Sequence, residues 1–287
     1  MMTIQKKYLA IFPLLGLLLS SLACSFTVNL PEAKTGPVQT FTINETLPED
    51  SRTTKISIEM GAGELDIQGG SEMLVEGEIQ YNITEWKPEV IRDGRSLLIR
   101  QGHKENLRIP TRDVVNRWQL KLGSVPIDLD IAAGAYKGTL NLSGVALTRL
   151  NIQDGASQAE VRFEEPNPVQ MESLRYRTGA SEVSLYGLGN ASPAFLNFEG
   201  GTGSYTLDFS GSLQQDIQAS ISAGVSSLKI IIPAGIPARV VISGGLNNVQ
   251  PRGSWNISNN VYETSGSGPK IEINLNMGVG NLELISE

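Results

Sequence analysis

The feature that most constrains this chain is a spaced repeat of the form apolar-x-apolar-x-x-Gly-x-small-x-apolar-x-apolar. Four consecutive copies read Leu150, Ile152, Gly155, Ser157, Ala159, Val161; Leu174, Tyr176, Gly179, Ser181, Val183, Leu185; Leu196, Phe198, Gly201, Gly203, Tyr205, Leu207; and Ala219, Ile221, Gly224, Ser226, Leu228, Ile230. Further copies open the first region (Ile56, Ile58, Gly61, Gly63, Leu65, Ile67) and close the chain (Ile273, Leu275, Gly278, Gly280, Leu282, Leu284), and a distorted one surrounds Leu129, Ile131 and Gly134. The contiguous copies recur at roughly 22 to 24 residues, a period of stacked repeats. Alternation puts one face of a strand into a core and leaves the x positions in water. The glycine is expected to relieve a positive φ where the chain turns, with the small residue keeping that corner uncrowded. No single copy buries its apolar face alone, so neighbours must stack.

Two all-β architectures fit. In a β-solenoid each repeat is one coil, and in an antiparallel meander or sandwich each is a hairpin. Among these corners only Asp154-Gly155 carries a dipeptide that two-residue hairpins favour, and the spacing across the corner hardly varies. Both points favour the solenoid. Short alternating runs from Ile56 to Ile99 make residues 51–123 a first β region, residues 124–287 form the repeat region, and Asp113 to Leu122 reads as strand. Open edges of such a stack invite aggregation, and the divergent first region is placed to serve as one cap.

The N-terminus reads as an export signal. Lys6 and Lys7 precede an uncharged apolar run from Tyr8 to Leu19, and small residues follow at Ser20, Ser21 and Ala23. The run is shorter than the ~20 residues of a membrane span. Cleavage before Cys24 makes residues 1–23 a signal peptide, and two readings fit it. Ser21 and Ala23 satisfy the small-x-small rule of an ordinary signal peptide with an incidental Cys24. The sole cysteine at the new N-terminus resembles a bacterial lipoprotein signal, favoured here although Ser21 stands where that pattern has Leu. One cysteine allows no disulfide within the chain. Residues 24–50, with Pro31, Pro37 and Pro48, read as a tether. The expected setting is extracytoplasmic, with the membrane reached through a lipid on Cys24. A net charge of −7 argues against a nucleic-acid partner.

The stretch from Ile58 through Gly61, Gly63, Leu65 and Ile67 to Gly70, followed by Leu74 to Gly77 and Trp86 to Val90, resembles the N-terminal domain of the bacterial toast-rack family. The downstream repeats are similar to that family's C-terminal part and to related adhesin-type and Lia-type β-domains. The resemblance implies a stacked-strand fold and an envelope setting, and it carries over no active-site residue.

The inventory for catalysis is thin. His103, the only histidine, lies in a loop-like stretch, and one Cys with one His builds no Cys/His zinc site. No cofactor is expected. Glu160, Glu182 and Asp208 are the carboxylates that adjacent coils would bring together if the chain cleaved polysaccharides, but they occupy solvated x positions. The Gly-x-Gly pairs precede strand residues, not the helix that a phosphate loop needs. Trp86, Trp118 and Trp255 are candidates for sugar stacking, with core or cap packing the better reading of each. Five Asn-x-Ser/Thr sequons, at Asn44, Asn82, Asn141, Asn190 and Asn256, fit an Asn-rich surface. The sequence therefore points to a non-catalytic surface protein, an adhesin or cell-wall scaffold whose partner is a wall glycan or a surface protein. A polysaccharide-active β-helix enzyme and an accessory of a cell-wall-antibiotic response are the alternatives.

Overall fold

Alternation at period two builds each repeat into one long strand that runs straight through its glycine corner. The computed structural model describes residues 35–102 and 113–287; the signal segment, Cys24, the first part of the tether and His103 lie outside the described residues. The coils are β2 (Thr54–Ser71), β7 (Ile127–Asn141), β8 (Leu147–Arg162), β9 (Met171–Tyr186), β10 (Pro193–Asp208), β11 (Ile217–Ile232), β12 (Ala238–Gly253) and β15 (Ile271–Ser286). Along β8, Ile152 and Asp154 point inward, Gly155 and Ala156 both point outward, and inward residues resume at Ser157 and Ala159. Two successive outward residues turn the strand into two arms, and the inward residues of both arms join one apolar core. Burying each Leu or Ile there contributes about 2 kcal/mol.

The coils pair in parallel, in the register of the repeat: Leu129 opposite Leu150, Leu150 opposite Leu174, Leu174 opposite Leu196, and Leu196 opposite Ala219. Parallel pairing rules out hairpins for these repeats, and the fold is an all-β, solenoid-like stack. The order of coils departs from the order of the chain at both ends. β15 slots between β11 and β12. β2 lies between β7 and a coil made of two pieces, β5 (Ser96–Arg100) along its first arm and β6 (Asn116–Gly123) along its second. Antiparallel strands finish the stack. At one end these are β3 (Val75–Tyr81), β1 (Gln39–Glu45) and β4 (Glu89–Asp93). At the other, β14 (Val261–Thr264) and β13 (Asn256–Ser258) cover the first arm of β12. On its second arm β12 carries Pro251, which has no N–H to offer another strand.

Three expectations change. Gln39 to Glu45, within the stretch read as tether, pair along their whole length with β3, because Phe41 and Ile43 alternate with polar residues and pack on the core. The two β regions are continuous, since β2 pairs with β7 across the expected boundary. β12 is a further copy (Val240, Ile242, Gly245), hidden in the sequence by Pro251 and by its doubled glycine.

The corner glycines form a column, for a different reason from the one expected. Gly61, Gly134, Gly155, Gly179, Gly201, Gly224, Gly278 and Gly245 follow one another across the stack. A Cβ on Gly155, Gly224 or Gly278 would lie 2.8, 2.6 or 2.8 Å from the carbonyl oxygen of the preceding glycine, and those on Gly134, Gly179, Gly201 and Gly245 would lie closer still. Only Gly61, where the column starts, would meet a side chain instead, that of Gln101 at 3.3 Å. None of these eight has a positive φ; that falls to the second glycine of the pair, at Gly63 (152°), Gly203 (155°) and Gly280 (156°). The first glycine is required by the approach of the next backbone and the second by its own dihedral.

On the side away from the corner, buried amides tie the return loops together. Asn167 binds both the N–H and the carbonyl of Leu147, and Asn190 binds the Phe163 carbonyl and the Ser212 N–H. Asn82 holds Asp113 and Val115 in the same way. The sequons at Asn82 and Asn190 are therefore structural amides closed to a glycan.

Candidate functional site

Because the column has no side chains, a shallow trough runs beside it along the stack. Its floor is the glycine backbone. Its outward wall is one row of the first arm, with Glu59, Ala132, Gln153, Arg177, Glu199 and Ser222 on successive coils. Arg177 and Glu199 neutralise each other across adjacent coils at 3.2 Å. Beyond the column lies a row of small apolar residues, Ala62, Ala135, Ala156 and Ala180, that grows to Thr202 and the exposed Val225 and Val279.

On the coils from β7 through β11 to β15, the face of the first arm above the trough is polar with one exception. Phe195 is 55% exposed, on the same outward side of β10 as Asn197 and Glu199. Arg175 sits opposite Asn197 on the neighbouring coil and is exposed. Every other arginine among the described residues is held by a carboxylate, whereas the Arg175 side chain makes no ion pair or hydrogen bond. Sequence reasoning missed both residues. The available signal was an aromatic directly before the first apolar position of its repeat, where continued alternation expects a solvated residue.

Beneath the trough the inner corner holds a polar knot. The buried Asp154 carboxyl accepts hydrogen bonds from Tyr176 OH at 2.9 Å and from Thr178 Oγ1, and Ser181 Oγ lies beside both. Tyr136 OH meets Tyr176 OH at 3.2 Å. The glycines at Gly138 and Gly200 leave room for the rings of Tyr136 and Tyr205. Burial pushes the phenols of Tyr136, Tyr176 and Tyr205 above their usual range, and the nearby Asp154 adds to it. A phenol that keeps its proton in the folded state stabilises the fold fully below the unfolded value of 10.0; that stability is lost as pH rises above it. Tyr136 and Tyr176 should each steepen the loss by up to ~1.4 kcal/mol per pH unit. Urea melts on either side of that value test this. The phenolate absorbance of these residues should rise only together with unfolding; reversible ionisation in the folded state overturns the prediction.

The three carboxylates considered for polysaccharide cleavage are not brought together as a pair. Glu160 lies opposite Ser184, Glu182 between Gln158 and Ser204, and Asp208 opposite Ile231, so they occupy three different rows of the second arm. Glu160 is engaged by Arg162, and Asp208 accepts from the Ser210 N–H. Trp118 is fully buried, with its Nε1 donating to Asn116. Trp255 packs edge-on against Tyr262 and donates to the Arg252 carbonyl, and Trp86 is half-buried in a 3-10 turn. Among the described residues no group of three His, Cys, Asp or Glu side chains assembles a metal site.

These features define a class: a parallel β-stack with a regular, side-chain-poor trough along its corner. Residues 33–173 match the family model for the N-terminal domain of toast_rack, and the chain is a toast-rack family protein. The match takes in β1 to β8 and the start of β9. Among solved structures, the chain is similar to a candidate cell adhesion protein from Clostridium sporogenes, with 20% identity, TM-score 0.52, and coverage of 88% of this chain and 100% of that one. This likeness shows the fold. A candidate adhesin from Bacteroides fragilis aligns at 12% identity and TM-score 0.33, covering 89% and 99%. A candidate lipid-binding protein from Parabacteroides distasonis aligns at 12% identity and TM-score 0.36, covering 87% and 97%. No curated protein matches the chain.

Proposed function

We propose that this protein is a non-catalytic binding module of the cell envelope, held at the membrane by a lipid on Cys24 and presenting its stack to wall polymer or to a neighbouring surface. The carrying observation is the trough and the flat first-arm face beside it, shared by successive coils. That geometry suits an extended partner better than a small substrate. The family and the adhesion name of the Clostridium sporogenes protein point the same way. An accessory role in a cell-wall-antibiotic response is compatible with the same surface.

Two experiments test the proposal. Full-length protein made in a bacterial host should cosediment with purified cell-wall material without releasing sugar from it. Failure to cosediment at any protein concentration, or steady sugar release, overturns the reading. For the anchor, Cys24→Ala should move the chain from the membrane fraction to the soluble extracytoplasmic fraction; a variant that stays in the membrane excludes a lipid on Cys24.

A further inference from the structure

Resting on that reading, we propose that the first-arm face beside the trough recognises a glycan bearing a carboxylate, with a sugar ring stacked on Phe195 and the carboxylate held by Arg175. A phenyl ring more than half exposed among the polar outward residues of the neighbouring coils gains nothing from the core. Arg175 is equally unexplained by the fold. Its neighbours in register are Asn151 and Asn197, neither of them acidic. The nearest alternating positions on its own strand are Ser173 and Arg177, and Arg177 is already satisfied by Glu199. The other charged neighbours on this face are also engaged: Glu172 with Arg149, and Asp130 with Lys55 and Asn151.

The two residues are close enough to act on one ligand. Phe195 lies opposite Ser173, two residues before Arg175 on the adjacent coil. One lateral step and two residues along the strand separate their Cα atoms by roughly 8 Å, about the span of a sugar ring and its substituent. A guanidinium offers a planar fork that matches a carboxylate, and an aromatic face accepts the apolar side of a pyranose. Ser220, exposed beside Asn197 in the same row, supplies a hydroxyl for the ring hydroxyls. The row of trough residues beyond them carries a compensated ion pair. A single free guanidinium among the described residues, on a chain of net charge −7, favours an occasional sugar carboxylate over a dense polyanion.

The test uses the full mature chain, with tetragalacturonate and its carboxyl-reduced tetragalactose counterpart as probes, followed by calorimetry. The acidic probe should bind at least tenfold more tightly than the neutral one. Arg175→Gln should remove that preference. Phe195→Ala should weaken both probes together by about tenfold. Both side chains are exposed, so the variants should melt like the parent, and a parallel melt checks this. Equal binding of the two probes, an acidic preference that survives Arg175→Gln, or binding of neither probe overturns the assignment. Cosedimentation with wall material persisting in any of those cases leaves the broader reading standing, whereas its loss removes both.

Discussion

Gly203→Ala is expected to destabilise the stack by about 3 kcal/mol or more, because it meets two penalties at once. The residue sits at φ 155°, a conformation that L side chains rarely adopt, and the new Cβ would point into the Ser181 carbonyl oxygen of the adjacent coil. That oxygen belongs to a parallel ladder running on both sides, so it cannot retreat without parting β9 from β10. Gly280→Ala should behave alike, against the Ser226 carbonyl. Gly179→Ala, without the positive φ, should cost less, though its Cβ still meets the Gly155 carbonyl. Gly94 is the control. Its φ is 55° but nothing lies within 4 Å of a Cβ there, so alanine should cost only about 1 kcal/mol of backbone strain. Urea denaturation of the four variants tests the order, and a Gly203→Ala protein as stable as Gly94→Ala would refute the column argument.

Asp154→Ala is the second large effect, at about 3 kcal/mol. It takes from Tyr176 OH and Thr178 Oγ1, both buried, the carboxylate that accepts from them, leaving Tyr136 OH and Ser181 Oγ as their remaining partners. Each buried group left short of a hydrogen bond costs on the order of 1–3 kcal/mol. Adding Tyr176→Phe should cost much less in the Asp154→Ala background than in the parent, since the hydroxyl it removes has by then become a liability. Strict additivity in that double-mutant cycle would show that the knot is not a coupled unit. Asp154 is also the inner neighbour of Gly155, so the cycle reports on the same corner that shapes the trough.

Much of this fold was legible because a parallel in-register stack repeats its environment. Each inward position of β8 meets the same inward position of β9, so Leu150, Leu174 and Leu196 answer one requirement and their alignment in sequence is their alignment in space. The stretch at 39–45 was misread for lack of repetition. β1 pairs antiparallel at the end of the stack and carries no glycine corner, and its neighbouring prolines resemble linker composition. The candidate site was scarcely legible. Glu160, Glu182 and Asp208 share the x positions of the repeat, but only the register shows that they fall in three rows. Phe195 and Arg175 became noticeable once exposure and the absence of an ion-pair partner could be seen.

What the amino-acid sequence determined by itself is the coil: its alternation, its glycine corner and its inward residues, all local properties set by the two-residue period of a strand. Tertiary structure decided the order of coils and the use of the surface. β15 lies between β11 and β12, and β2 beside β7, because each end of the chain supplies an open strand edge that some other coil must pair. Edge pairing depends on backbone hydrogen bonds, which are nearly blind to side-chain identity. Which coil fills an edge, and so which residues become neighbours on the outer face, is settled only when the whole stack closes.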